Sequence, residues 1–314
     1  MFSYMKFPNA ENSDALLKFM QNFLTTFFES VELQDNKIVC QNKMKTEITI
    51  DEINKKTFDG YKIKRRFSAI THFDFLYVPF VGTINNFSAI SSLIANKDDK
   101  TIKYVCRFFE YEGETVHEQF LLPSLLTTII SNERMIQMLI KHLASQVDEK
   151  PIDYDESESR WLQTNEFEET QSKLESKFAC TASKTGITVE FPWEDDAVSA
   201  LMGHKTALLQ IMTDSKHPYF GSGLFCKLTL PITAIDKFEL SNSLNMHEFS
   251  LDDAPPFVGS WCTGGEKSMV FVSFFPNNVY HPNIILSIIM WMNIRTQIAK
   301  SYLEENKSLI SQWY

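Results

Sequence analysis

The sequence predicts an α+β protein built from two copies of one module, with helices packed on an antiparallel sheet in the order α-βββ-α-ββ-α. Three observations carry this. The chain has 314 residues, well beyond the roughly 100–150 typical of one domain. An acidic, apolar-poor stretch divides it near the middle. On either side of that stretch, helical and extended periodicities come in the same order.

The divider spans 148–160, where Asp148, Glu149, Asp153, Asp155, Glu156 and Glu158 surround Pro151. So little apolar surface cannot form a core, and the stretch reads as a linker. It separates an N-terminal module at 1–147 from a C-terminal module at 161–314.

In the first module, Ser13 is placed to cap a helix. Its apolar residues Leu16, Phe19, Met20, Phe23, Leu24, Phe27 and Phe28 fall at three- and four-residue steps. Extended segments are expected over 31–41, 46–50 and 62–78, the last long enough to contain a bend. A second helix over 84–96 would carry Phe87, Ile90 and Ile94 on one side. Ile102, Tyr104, Cys106 and Phe108 then alternate with Lys103 and Arg107, the period of a half-buried strand. Its hairpin partner is expected at 116–122, across Glu112-Gly113, and a last helix ends near Leu143.

The second module repeats the plan. A polar helix over 165–177 has only Phe167, Leu174 and Phe178 as its apolar line. Ile187, Val189 and Phe191 alternate with Thr188 and Glu190, giving a strand that stops at Pro192. Strands follow over 206–212 and 224–230, then a helix over 234–249. The segments 257–262 and 268–275 form a hairpin across Gly264-Gly265, a pair suited to positive φ. A helix over 283–304 closes the module.

Short matches run in the same order through both halves. Leu76-Tyr77-Val78-Pro79 aligns with Leu228-Thr229-Leu230-Pro231, Asn86 to Leu93 with Lys237 to Leu244, and Phe120-Leu121-Leu122-Pro123 with Ser273-Phe274-Phe275-Pro276. Together with the pattern around Gly259-Ser260-Trp261-Cys262, this order of elements resembles the type III secretion chaperone fold and the related YbjN-like family. The resemblance covers each half almost fully. It implies a non-catalytic module that associates through protein surfaces. Because the chaperones commonly pair as homodimers, a tandem copy implies an internal pseudo-dimer or a weak homo-oligomer.

Composition narrows the function. A net charge of −10 and a pI near 5.3 repel phosphate backbones, so nucleic acid is not expected as a partner. The basic run Lys62-Ile63-Lys64-Arg65-Arg66 is the local exception, and it reads first as a charged strand face that discourages edge-to-edge pairing. Five widely spaced cysteines, Cys40, Cys106, Cys180, Cys226 and Cys262, show no zinc or redox spacing, as expected of buried thiols in a reducing compartment. No apolar run approaches the roughly 20 residues that span a bilayer, and the first residues lack a secretory pattern. The expectation is a cytoplasmic protein without a membrane partner.

No catalytic, cofactor or metal constellation is legible. The seven histidines lack His-x-x-x-His spacing, and phosphate-loop and dinucleotide fingerprints are missing. The carboxylates of Glu194-Asp195-Asp196 and Asp252-Asp253 read as solvated loop residues, and Ser222 lacks the spacing of a nucleophile elbow. The alternative to a binding protein is a cysteine-dependent hydrolase or transferase centred on Cys262, with His247 or His281 as base; a structural subunit of a larger assembly is the third reading. The leading expectation is a chaperone-like or regulatory protein that recognises another protein or peptide. Its candidate contact residues are aromatic groups at strand ends: Trp193, His217, Tyr219, Phe220 and Trp261.

Overall fold

The computed structural model describes residues 13–41, 45–53, 57–58, 61–73, 81–86, 90–111, 158–193, 206–214, 216–217, 220–252, 254–264, 268–280 and 282–313. It divides into two compact units. Unit 1 comprises Met1–Ile84, Ile90–Glu149 and Pro256–Val258; unit 2 comprises Asn85–Ala89, Lys150–Pro255 and Gly259–Tyr314. No helix among the described residues is long and apolar enough to cross a membrane.

In unit 1, helix α1 (Ser13–Leu24) buries Leu16, Leu17, Met20 and Leu24, as its spacing predicts. Ser13 is the first residue of α1, and its hydroxyl donates to Glu52 Oε1 at 2.9 Å. The strands β1 (Ser30–Gln34), β2 (Lys37–Gln41), β3 (Lys45–Glu52), β4 (Thr57–Phe58) and β5 (Tyr61–Phe73) follow, then α2 (Val81–Asn86), β6 (Ser92–Asn96) and β7 (Thr101–Tyr111). The sheet order is β1-β2-β3-β5-β7-β6, with β4 on β5. Every pairing is antiparallel.

Three expectations for this half are corrected. The segment 31–41 is a hairpin, turning at Asp35 with φ 51°; the apolar parity passes from odd (Val31, Leu33) to even (Ile38, Cys40), which an unbroken strand cannot do. The helix expected over 84–96 is only α2, followed by β6. Leu93, Ile94 and Ala95 are all buried, and a short apolar run of that kind suits a two-faced buried strand as well as a helix. The hairpin partner of β7 is therefore β6, before it, across a turn where Asp99 Oδ1 accepts from Thr101 N at 3.2 Å and Lys100 takes φ 52°. The segment 116–122, its turn and the helix ending near Leu143 lie outside the described residues.

Unit 2 opens with a 3₁₀ turn (Arg160–Gln163). Its elements are α3 (Glu166–Leu174), β8 (Ala179–Ser183), β9 (Gly186–Pro192), β10 (Thr206–Met212), β11 (Gly223–Ala234), α4 (Lys237–Ser250), β12 (Ser260–Gly264), β13 (Ser268–Pro276), α5 (Ile284–Glu305) and β14 (Ile310–Trp313). The sheet order is β12-β13-β11-β10-β9-β8, with β14 on β11. Sequence reasoning missed β8, a small-residue edge strand, and β14. Helix α4 starts after Asp236, whose carboxylate accepts from Glu239 N at 3.0 Å. The end of the acidic stretch is tied into this unit: Ser159 Oγ donates to Gly223 O, and Asn277 Nδ2 donates to Glu158 O at 3.1 Å.

The two sheets have one topology, α-ββββ-α-ββ, with four main strands before the middle helix instead of the expected three. Their registers superpose rung by rung. Across unit 1, one rung reads Val31, Cys40, Thr46, Thr71, Tyr104, Leu93. Across unit 2 the equivalent reads Cys180, Val189, Leu209, Leu228, Phe271, Trp261. Leu228 thus matches Thr71 and not Leu76, and Leu93 matches Trp261 and not Leu244. The modules are duplicated, but along a different alignment from the short sequence matches.

A buried polar cluster joins four elements of unit 2. Arg295 of α5 donates from Nε to Glu248 Oε1 of α4 at 2.7 Å, and its Nη2 lies 2.6 Å from the same oxygen. Trp261 Nε1 of β12 donates to Glu248 Oε2 at 2.9 Å. The guanidinium lies 3.9 Å from the ring centroid of Phe271 on β13. Removing one partner strands a buried charge, so Arg295→Met is expected to cost about 3–5 kcal/mol in urea unfolding, and Glu248→Gln in the same chain to restore part of it.

Glu166 of α3 closes the start of α5, its Oε1 accepting from Ile285 N at 3.4 Å. Burial pushes its carboxyl above the usual carboxylate range, and the Ile285 and Asn283 N–H groups offset part of that rise. A raised folded pKa means that the charged form weakens the fold as pH climbs from the unfolded value of about 4.3 through the folded one. Glu166→Gln is accordingly expected to melt with the wild type at the acid end of this window and above it at neutral pH. Thermal unfolding as a function of pH measures the gap, and a gap that widens on acidification would reverse the assigned sign.

Candidate functional site

The expected aromatic contact residues do not form one groove. Trp193 and Trp261 are each 1% exposed and belong to the core of unit 2, so neither is available to a partner. The backbone of Trp261 is also occupied: its N donates to Asn245 Oδ1 at 2.8 Å and its O accepts from Asn245 Nδ2 at 2.9 Å. His217 and Phe220 lie together in the turn between β10 and β11, where His217 and Gly221 exchange two backbone hydrogen bonds. The His217 ring packs on Phe220 and Phe274, with centroids at 4.8 and 4.9 Å. Tyr219 lies outside the described residues.

Cys262 has no thiolate character. It is buried with Val270 and Val272, and burial pushes its thiol up to about 12. A nucleophilic cysteine requires the opposite environment. His247 packs against Tyr302 at 4.5 Å between ring centroids, and burial lowers its pKa; His281 lies outside the described residues. Among the described residues, no group of three or more His, Cys, Asp or Glu side chains is placed to hold a metal ion.

The basic run is compensated. Lys64 Nζ donates to Glu110 Oε1 at 2.7 Å, Arg65 Nε lies 3.4 Å from Glu110 Oε2, and Arg66 donates to Asp51 at 3.2 and 3.0 Å. Alternation on β5 sends Ile63 and Arg65 inward. A phosphate would have to displace these carboxylates.

The sheet of unit 2 carries a different feature. Its rung Val189, Leu209, Leu228, Phe271, Trp261 is fully buried, and the contacts of Trp261 and Phe271 with Glu248 and Arg295 identify this as the face covered by helices. Successive residues of a strand point to opposite faces, so the other face presents the rows Met212–Phe225–Phe274, Gln210–Lys227–Val272 and Leu208–Thr229–Val270–Cys262. On β10 and β11 these positions are half-buried: Leu208, Gln210, Met212, Phe225, Lys227 and Thr229. Polar residues usually fill the outward positions of such strands. Here Leu208, Met212 and Phe225 are apolar.

The ring packing of His217 and Phe220 on Phe274 places that turn at the end of the Met212–Phe225 row. Two of the expected residues thus border the face, but its central members were missed. The signal was present: 206–212 and 223–230 hold apolar residues at both parities, more than one buried face needs. Compared with known proteins, the chain matches no family model, no curated protein and no solved structure.

Iodoacetamide near neutral pH is expected to label the half-buried Cys180 first, with Cys262 reacting only when the chain unfolds. Mass spectrometry of the native protein reads the order; early labelling of Cys262 would restore the nucleophile reading.

Proposed function

We propose that the protein is a non-enzymatic, cytoplasmic, chaperone-like or regulatory factor that binds another polypeptide. The observation that carries this reading is the set of partly buried apolar side chains Leu208, Met212 and Phe225 on the face of the unit 2 sheet opposite the Trp261 row. An apolar partner segment laid across the Met212–Phe225 row would bury these side chains, while Gln210, Lys227 and Thr229 in the adjoining rows would supply polar contacts at the rim. The net charge of −10 would keep the complex soluble and disfavour acidic partners.

The order of elements read from the sequence resembles that of type III secretion chaperones and YbjN-like proteins, and this likeness supports the reading. Four strands before the middle helix depart from the three expected of that plan. The role is therefore drawn from the surface, with the likeness as support.

The test uses a model client, the insulin B chain released by reduction, with aggregation followed by light scattering. Wild-type protein is expected to suppress scattering. Met212→Asp and Phe225→Asp are each expected to raise the concentration needed by about tenfold, the loss of one hot-spot contact. Undiminished suppression by both variants, folded by circular dichroism, would overturn the assignment of this face.

A further inference from the structure

β11 outruns its neighbours. At that end the β10 ladder reaches Leu208↔Thr229, and the β13 ladder slips past Leu230 to finish at Thr233↔Ser268. Among the described residues, the edge of β11 at 232–234 is completed by β14 through Ile232↔Trp313, Thr233↔Gln312 and Ala234↔Ile310. Ile235 N continues the ladder by donating to Leu309 O at 3.1 Å. The acceptor edge is apolar: Ile232 and Ala234 are buried, and Ile235 beside them stands 64% exposed.

Three features make β14 separable from the body of unit 2. Its register slips between Thr233 and Ala234. Helix α5 is closed before β14 begins, with Asn306 N donating to Tyr302 O and Leu303 O at 3.1 and 3.2 Å and Asn306 Nδ2 donating to Tyr302 O at 2.8 Å. Between helix and strand lies a single 3₁₀ turn (Lys307–Leu309) in which Lys307 and Ser308 are exposed. Losing β14 would leave the cap of α5 and the main sheet ladders intact.

We propose that the edge of β11 at 232–235 is a strand-acceptor site for an extended polypeptide segment, and that β14 is the resident strand that holds it shut. The seated strand defines the occupant: a segment in β conformation that completes the backbone ladder and places an apolar side chain in register with Ile310, which is buried. Backbone bonds supply the attraction, and the apolar position in register with Ala234 supplies selectivity. This site is separate from the face of Leu208, Met212 and Phe225 and does not rest on it.

The probe is a fluorescein-labelled synthetic peptide with the sequence of residues 307–314, added to the full-length chain and read by fluorescence anisotropy. A closed site weakens apparent affinity by the fraction of time it is open. Ile310→Asp, which loosens the resident strand, is therefore expected to bind the peptide at least about tenfold more tightly than wild type. Equal affinity in a variant that still melts cooperatively would overturn the proposal. Hydrogen exchange on the wild type decides independently of any variant: the Ile235 amide is expected to exchange well ahead of the amides at 288–299 in α5, and exchange in step with α5 would also overturn it. Met212→Asp leaves this peptide binding unchanged, so failure here and failure of the Met212–Phe225 face are distinguishable.

Discussion

The fold of unit 2 depends on one buried ion pair. Glu248 and Arg295 stand on different helices, and neither would be tolerated in the interior alone, because an isolated buried charge costs several kcal/mol. Each satisfies the other, and Trp261 Nε1 takes the remaining carboxylate oxygen. The guanidinium plane then rests on Phe271, and the Trp261 ring meets the same phenylalanine edge-on at 5.3 Å. The cluster works as a positional lock: α4, α5, β12 and β13 can meet in only one arrangement that leaves no charge bare. Asn245, one turn before Glu248, uses both ends of its amide to occupy the outer backbone of β12, so an edge strand that would otherwise invite pairing is covered.

None of this was legible as a cluster. Nothing in the sequence pairs Glu248 with Arg295, 47 residues apart on different helices, and only their burial reveals the pair. Most strands of unit 2 could be read because they are apolar runs of strand length; β10 spans the expected 206–212. Unit 1 was harder for a physical reason. Its β6 is buried on both faces, so the alternation that marks a strand is lost, and its first two strands are joined by a tight turn that only the change of parity betrays.

The duplication was legible in order but not in alignment. Proline-ended strand motifs attracted the comparison, yet prolines mark ends of many kinds and carry no register. The truer signal lies in the first helices, where Gln21, Leu24 and Phe28 recur at one constant offset as Gln171, Leu174 and Phe178. Each pair does the same work. Phe28 N and Phe178 N close the turn onto Leu24 O and Leu174 O, and both glutamines reach the adjoining edge strand, Gln21 to Val31 O and Gln171 to Ala182 N.

The longest strand of unit 2 is β11. At twelve residues it exceeds the seven of β10 and the nine of β13, and a strand longer than its neighbours cannot satisfy both of its edges from them. Its start lies so close to β13 that Gly223 admits no side chain: a Cβ there would lie 2.4 Å from Phe275 O. Its last residues pass beyond the β10 ladder and find another strand there, β14. Strand length therefore gives β11 two parts: one between β10 and β13 carries Phe225 and Lys227, and one beyond the β10 ladder carries an edge that β14 fills. Both follow from one constraint, that backbone N–H and C=O groups withdrawn from water must find partners.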